Sequence, residues 1–178
     1  MNECFFFTTR LAALVLLLFL LAGCADAPEY PNEPVITFES LSKSTLYQSI
    51  GSLPRDSLVV RFSFTDGDGN LSQSEGGTEN DIFFYDSRLV ALGADPEPLR
   101  FPLIDREGTG NGVSGMVSVT LTNTPLVGPG CIRNGRLFVQ DPTFPVDTFS
   151  YEIEIRDRAG NVSNRIRTAP ISLLCIQQ

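Results

Sequence analysis

The chain has 178 residues, with 21 acidic against 13 basic side chains and a formal charge of −8. That balance argues against nucleic acid and anionic lipid as partners and favours cations. The chain has no His and no Trp. This excludes Ser-His-Asp and Cys-His triads, imidazole-held zinc and histidine acid/base chemistry, and it weighs against a sugar platform built on tryptophan.

Residues 1–23 have the three parts of a secretory signal: a short n-region ending at Arg10, an apolar run from Leu11 to Leu21, and small residues before Cys24. The uncharged stretch from Leu11 to Ala25 is 15 residues long, short of the roughly 20 that span a bilayer. The junction Leu20-Leu21-Ala22-Gly23-Cys24 resembles the lipobox of bacterial lipoproteins. That resemblance implies a diacylglycerol thioether on Cys24, cleavage after Gly23 and N-acylation. Two or more acyl chains make a stable anchor, each buried CH₂ contributing about 0.8 kcal/mol. The alternative is an ordinary signal peptide, with Cys24 a plain thiol. Residues 24–34 carry Pro28, Pro31 and Pro34 and read as a lipidated, proline-rich tether.

Removing 23 residues from 178 leaves 155, the size of one domain, here expected over 35–178. Cys4 leaves with the signal and Cys24 takes lipid, so Cys131 and Cys175 remain. An exported pair forms one disulfide, worth about 3–4 kcal/mol in the chain-entropy model. Two buried thiols are the alternative.

Period-two alternation dominates the mature chain. In Ser57–Phe64, Leu58, Val60, Phe62 and Phe64 share one face, with Arg61 and Ser63 opposite. Val117–Thr122 and Phe149–Arg156 repeat the scheme, each a half-buried strand with one wet face. Weaker strands are expected at Val35–Leu41, Ile82–Tyr85, Arg88–Leu92, Leu99–Ile104, Arg136–Gln140 and Ile166–Cys175, with Pro170 at a sheet edge or bulge. No amphipathic helix stands out after the signal. About seven to nine short strands with frequent turns predict an all-β fold, an antiparallel sandwich of immunoglobulin-like or fibronectin-III-like kind.

The segment Val60–Leu71, a strand running into Asp66-Gly67-Asp68-Gly69-Asn70, resembles small cell-envelope lipoproteins of Bacteroidota. Tyr151–Ser163 is similar to the penultimate strand and turn of bacterial Ig-like domains. The resemblance implies an Ig-like sandwich and leaves function open.

The sharpest chemistry is Asp66-x-Asp68-x-Asn70, followed by Ser72 and Glu75. Alternate oxygens in a glycine-rich turn can converge on a hard cation. An EF-hand is excluded, because Leu71 stands where glycine is needed and Gly77 where a bidentate Glu is needed. If 57–65 and 149–157 are the B-like and F-like strands, their following loops share one end of the sandwich. Asp157 and Asn161 then approach Asp66 and Asp68 as a calcium site, Ca²⁺ being the one cofactor the sequence suggests. The competing explanation is plain turn chemistry, with carboxylates capping backbone amides.

Gly110–Gly115 matches G-x-G-x-x-G but lacks the preceding strand and following helix of a dinucleotide site, and reads as a loop. Tyr30, Tyr47, Tyr85, Phe144 and Phe83-Phe84 are candidate surface aromatics, with burial of the Phe pair under the 86–112 connection the plainer expectation. Asp56-Ser57-Leu58 resembles the short O-glycosylation signal of Bacteroidota exported proteins, with Ser57 as acceptor; an ordinary strand start is the alternative.

The expectation is a non-catalytic envelope lipoprotein, lipid-anchored and at the outer membrane, acting as an interaction or structural module toward an envelope protein or a glycan. A calcium-dependent carbohydrate-binding module is one alternative. A divergent carboxylate hydrolase, using acids such as Asp66 and Asp68, is the other.

Overall fold

The computed structural model describes residues 29–48, 56–71, 79–90, 92–104, 112–123, 131–134, 136–137 and 143–175. Cys24, Ser72 and Glu75 lie outside them. The fold is all-β and mostly antiparallel, as the alternation predicts.

The strongest alternating segment becomes β3 (Asp56–Asp66), with Leu58, Val60, Phe62 and Phe64 buried and the residues between them partly exposed. It lies between β1 (Val35–Leu41) and β6 (Val113–Asn123). The β3–β6 ladder runs unbroken from Asp56↔Asn123 to Asp66↔Val113. A second sheet sets β10 (Tyr151–Ile155) between β11 (Ile166–Arg167) and β4 (Ile82–Asp86), with β5 (Glu97–Leu99) on the edge. A third sets β12 (Ile171–Leu174) between β9 (Val146–Phe149) and β2 (Thr45–Tyr47), the last pair being parallel. β7 (Ile132–Arg133) and β8 (Arg136–Leu137) form a ribbon of their own. These sheets share one core, in which Ile36, Val60 and Phe62 from the first join Phe84 and Ile153 from the second and Leu46 and Leu173 from the third.

Four details depart from the sequence expectations. Arg88–Leu92 is not a strand: Ser87–Val90 forms a one-turn helix, α1. The Asp86 carboxylate accepts the Arg88 N–H at 2.9 Å as an N-cap, and Gly93 takes φ 73° beyond the turn. The Arg88 guanidinium then bridges Asp86 and Asp147, at 2.5 Å each, above the Phe149 ring. Of Leu99–Ile104 only Leu99 is in a strand, at the end of β5 (Glu97–Leu99), because Pro102 has no N–H and the Phe101 N–H turns to the Asp81 carboxylate.

Phe149–Arg156 and Ile166–Cys175 are each divided, so that one long hairpin passes between two sheets. Phe149 faces Ile171 while Glu152 faces Arg167, leaving two residues opposite three. Thr168 closes this bulge, its N–H donating to the Tyr151 carbonyl and its Oγ1 accepting the Tyr151 N–H. Pro170, expected at an edge or bulge, sits in it. Lastly, the described residues hold twelve strands where about seven to nine were expected. Several are fragments of two to four residues, too short for alternation to reveal.

Cys131 and Cys175 are joined by a disulfide, 5.9 Å between Cα atoms, and both are fully buried. Phe84 is buried, whereas Phe83 and Tyr85 face outward beneath the guanidinium groups of Arg156 and Arg165, at 5.1 and 4.1 Å. Arginine stacking therefore covers these rings. Tyr47 and Phe144 are exposed, the latter with Arg133 stacked on it. No helix among the described residues is long and apolar enough to cross a membrane.

Asp81 illustrates how burial couples stability to pH. Burial raises its carboxyl pKa, with the Phe101 N–H and the Arg100 charge pulling the other way. Between the ordinary carboxylate pKa and the raised one, the folded protein keeps a proton that the unfolded chain has released. Stability therefore falls as pH rises through that window. Asp81→Asn is expected to flatten this part of the profile, measured as urea midpoints from about pH 4 to about pH 7.

Candidate metal centre

β3 ends at Asp66, whose period-two position turns its side chain inward, so its carboxylate is carried into the end of the core at 0% exposure. The chain then reverses through Gly67, Asp68, Gly69 and Asn70. Gly69 adopts φ 64°, a left-handed conformation natural to glycine. The Leu71 N–H returns to Asp66 Oδ2 at 3.2 Å, and the Leu71 side chain is buried. Leu71 thus closes the turn where an EF-hand loop would continue.

In the second sheet, β10 runs out into Asp157, also buried at 6% exposure. Its two carboxylate oxygens accept the backbone N–H and the side-chain amide N–H of Asn161, both at 2.7 Å. Asp68 is held in the same way by Asn70, whose backbone N–H and Nδ2 donate to it at 3.3 and 2.8 Å. Each turn therefore pairs a carboxylate with an asparagine that orients it. Of the five residues singled out in the sequence, three acids provide the cluster and two asparagines position it.

Asp66, Asp68 and Asp157 each present an oxygen within 4.8 Å of the others. Two of the three acids are buried. Burial raises the Asp66 pKa; the Leu71 and Asn70 N–H groups lower it, and the charges of Asp68 and Asp157 raise it further. Among the described residues, Asp66 Oδ1 has no hydrogen-bond partner, and neither has the buried Asn70 Oδ1. An orphaned carboxylate oxygen at zero exposure beside two like charges is costly while ionised. A proton relieves that cost, as at Asp81, whose buried Oδ2 is also unpartnered; three acids converging on one point let a cation do so as well. The donor set is all oxygen, which suits a hard ion.

Three neighbours escaped the sequence reading. Arg158 donates through Nε to the Asn70 carbonyl at 2.9 Å, tying the two turns together. Gly112 lies so close that a Cβ there would sit 2.3 Å from the Asp66 carbonyl oxygen. Gly67 donates its N–H to the Pro31 carbonyl at 2.7 Å, and a Cβ would meet the Tyr30 carbonyl oxygen at 2.2 Å. Packing of the domain thus begins before Val35. These contacts join residues distant in sequence, and only the glycines hint at them. Gly67→Ala is expected to destabilise the domain by about 1–3 kcal/mol through overpacking, read from chemical denaturation.

The remaining candidates sit apart from this centre. Ser57 is exposed in β3, while Asp56 holds Lys43 and the backbone N–H groups of Tyr47 and Ser57, the behaviour of a structural strand start. Gly112–Gly115 leads into β6, and no helix follows.

Fold and site together define an all-β domain with a three-carboxylate cluster at the ends of two strands. No protein-family model, curated protein or solved structure matches this chain.

Proposed function

We propose that the chain is a lipid-anchored cell-envelope protein whose domain binds calcium at Asp66, Asp68 and Asp157 and serves as a non-catalytic interaction or structural module. The observation that carries the ion is the fully buried, unpartnered Asp66 Oδ1 within a cluster of three carboxylates. Calcium fits better than magnesium because it accepts six to eight oxygens in flexible geometry. Asn70 Oδ1, buried and without a hydrogen-bond partner, is a further oxygen on the same turn. An ion held there stiffens the loops; the domain then presents a fixed tip to an envelope protein or a glycan.

Two other features support this reading. The sheet orders β1-β3-β6 and β11-β10-β4-β5 are compatible with the A-B-E and G-F-C-C′ orders of an Ig-like sandwich, in which the loops after B and F share one end. The Leu20–Cys24 junction supports lipidation. Cys24→Ser is expected to abolish palmitate labelling and partition into the detergent phase in a bacterial host. Partitioning that persists in the variant overturns the anchor. A thermal midpoint that millimolar calcium leaves unmoved overturns the ion site.

A further inference from the structure

The geometry points to a second role for the same centre: the bound ion fastens the segment that leads from the membrane anchor into the domain. This rests on the cation reading above. Residues 30–31 cross directly over Gly67, between two of the three acids, with the Pro31 carbonyl accepting the Gly67 N–H and no space for a side chain beneath. Three residues later Pro34 is buried, and β1 begins.

The start of β1 is laced to the other ion-bearing loop as well. Asn164 Oδ1 accepts the Ile36 N–H at 2.8 Å, and Asn164 Nδ2 donates to the Ile36 carbonyl at 2.9 Å. The incoming chain therefore rests on both loops, through Gly67 on one side and Asn164 on the other. Without a cation, Asp66 and Asp68 repel Asp157 across those loops. With one, the loops become a single platform, and lifting residues 30–34 requires disturbing a liganded turn.

The consequence is mechanical. From Cys24 to Tyr30 an extended chain reaches about 20 Å, whereas from Cys24 to Val35 it reaches about 38 Å. Calcium thus roughly halves the greatest distance at which the domain can stand from Cys24. The occupant of the cleft over Gly67 is this chain's own Tyr30-Pro31 segment, and the signal it answers is the free divalent cation.

The test uses the full chain in detergent micelles, with Ca²⁺ as the probe. Equilibrium dialysis reads ion binding, and hydrogen exchange of peptides spanning 29–36 and 64–71 reads the clamp. If opening requires loss of the ion, exchange of the Gly67 amide, bonded to Pro31, and of the Ile36 amide, bonded to Asn164, slows in proportion to occupancy, by up to about 100-fold at 100 times Kd. Asp68→Asn, at an exposed position that leaves the core intact, is expected to lose both binding and protection. Calcium that binds without slowing exchange in either peptide overturns the clamp and leaves the ion site standing. No binding in dialysis overturns both. Equal protection in wild type and in a calcium-free Asp68→Asn variant also overturns the clamp.

Discussion

Alanine at both Cys131 and Cys175 is expected to lower the unfolding free energy by about 4 kcal/mol, the chain-entropy value for a loop of 44 residues. The position of the bond explains why little else compensates. Cys131 stands at the head of the β7–β8 ribbon, which forms a sheet of only two strands, marginal by itself in water. Cys175 directly follows β12, and its N–H donates to the Pro145 carbonyl at 2.9 Å. The disulfide therefore pins the ribbon to the β9–β12 sheet, helped by the Ile132 N–H, which donates to Asp147 at 2.8 Å. With a urea slope near 2 kcal/mol per M, the midpoint falls by about 2 M. Both sulfurs are fully buried, so reductant is expected to open the bond in urea and not in the folded protein. A loss below about 1 kcal/mol in the double variant would show that packing alone holds the ribbon.

Calcium at 100 times its Kd is expected to stabilise the domain by about 2.7 kcal/mol. For a domain of this size that raises the thermal midpoint by about 5–10 °C. Magnesium is expected to do much less, since it demands a tight octahedron and gives up water reluctantly. The Asp68→Asn variant makes the effect diagnostic. Asp68 is exposed and contributes repulsion to buried Asp66, so the variant without metal is expected to melt no lower than wild type. In calcium it melts lower, because the shift is lost. An unchanged wild-type midpoint at millimolar calcium would sink the ion site, because a saturating ligand must stabilise the state it binds.

Strands with long alternating runs were legible in the sequence. β3 differs from its expected range only at its ends, because a period of two over six or more residues leaves one face for the core; β1, a weaker signal, also begins and ends at the expected residues. Arg88–Leu92 misled because its apolar content resembles a strand, while the decisive signals were the flanking Asp86 cap and Gly93. β2 and β7, of three and two residues, carry no period to read. The long hairpin looked like two straight strands, since its bulge depends on which residue of one strand faces which of the other.

Of the candidate site, residue types and turn spacing alone placed Asp66, Asp68 and Asn70 in one loop and Asp157 and Asn161 in another. The roles of the two groups were less evident. Both asparagines hold carboxylates through their amide N–H groups, a contact set by side-chain geometry that spacing does not encode. Arg158, Asn164 and the Tyr30-Pro31 crossing lay beyond reach for the same reason.

What the sequence by itself determined was local: the alternating faces, the acidic turns, the cysteine pair and the lipobox-like junction, all readable within a few residues of chain. What only the tertiary structure decided was convergence. It brought the ends of two strands 91 positions apart, at Asp66 and Asp157, to within 4.8 Å and laid residues 30–31 across the first of them. The physical reason is that such meetings are fixed by sheet pairing and by the packing of one shared core, which no window of sequence contains.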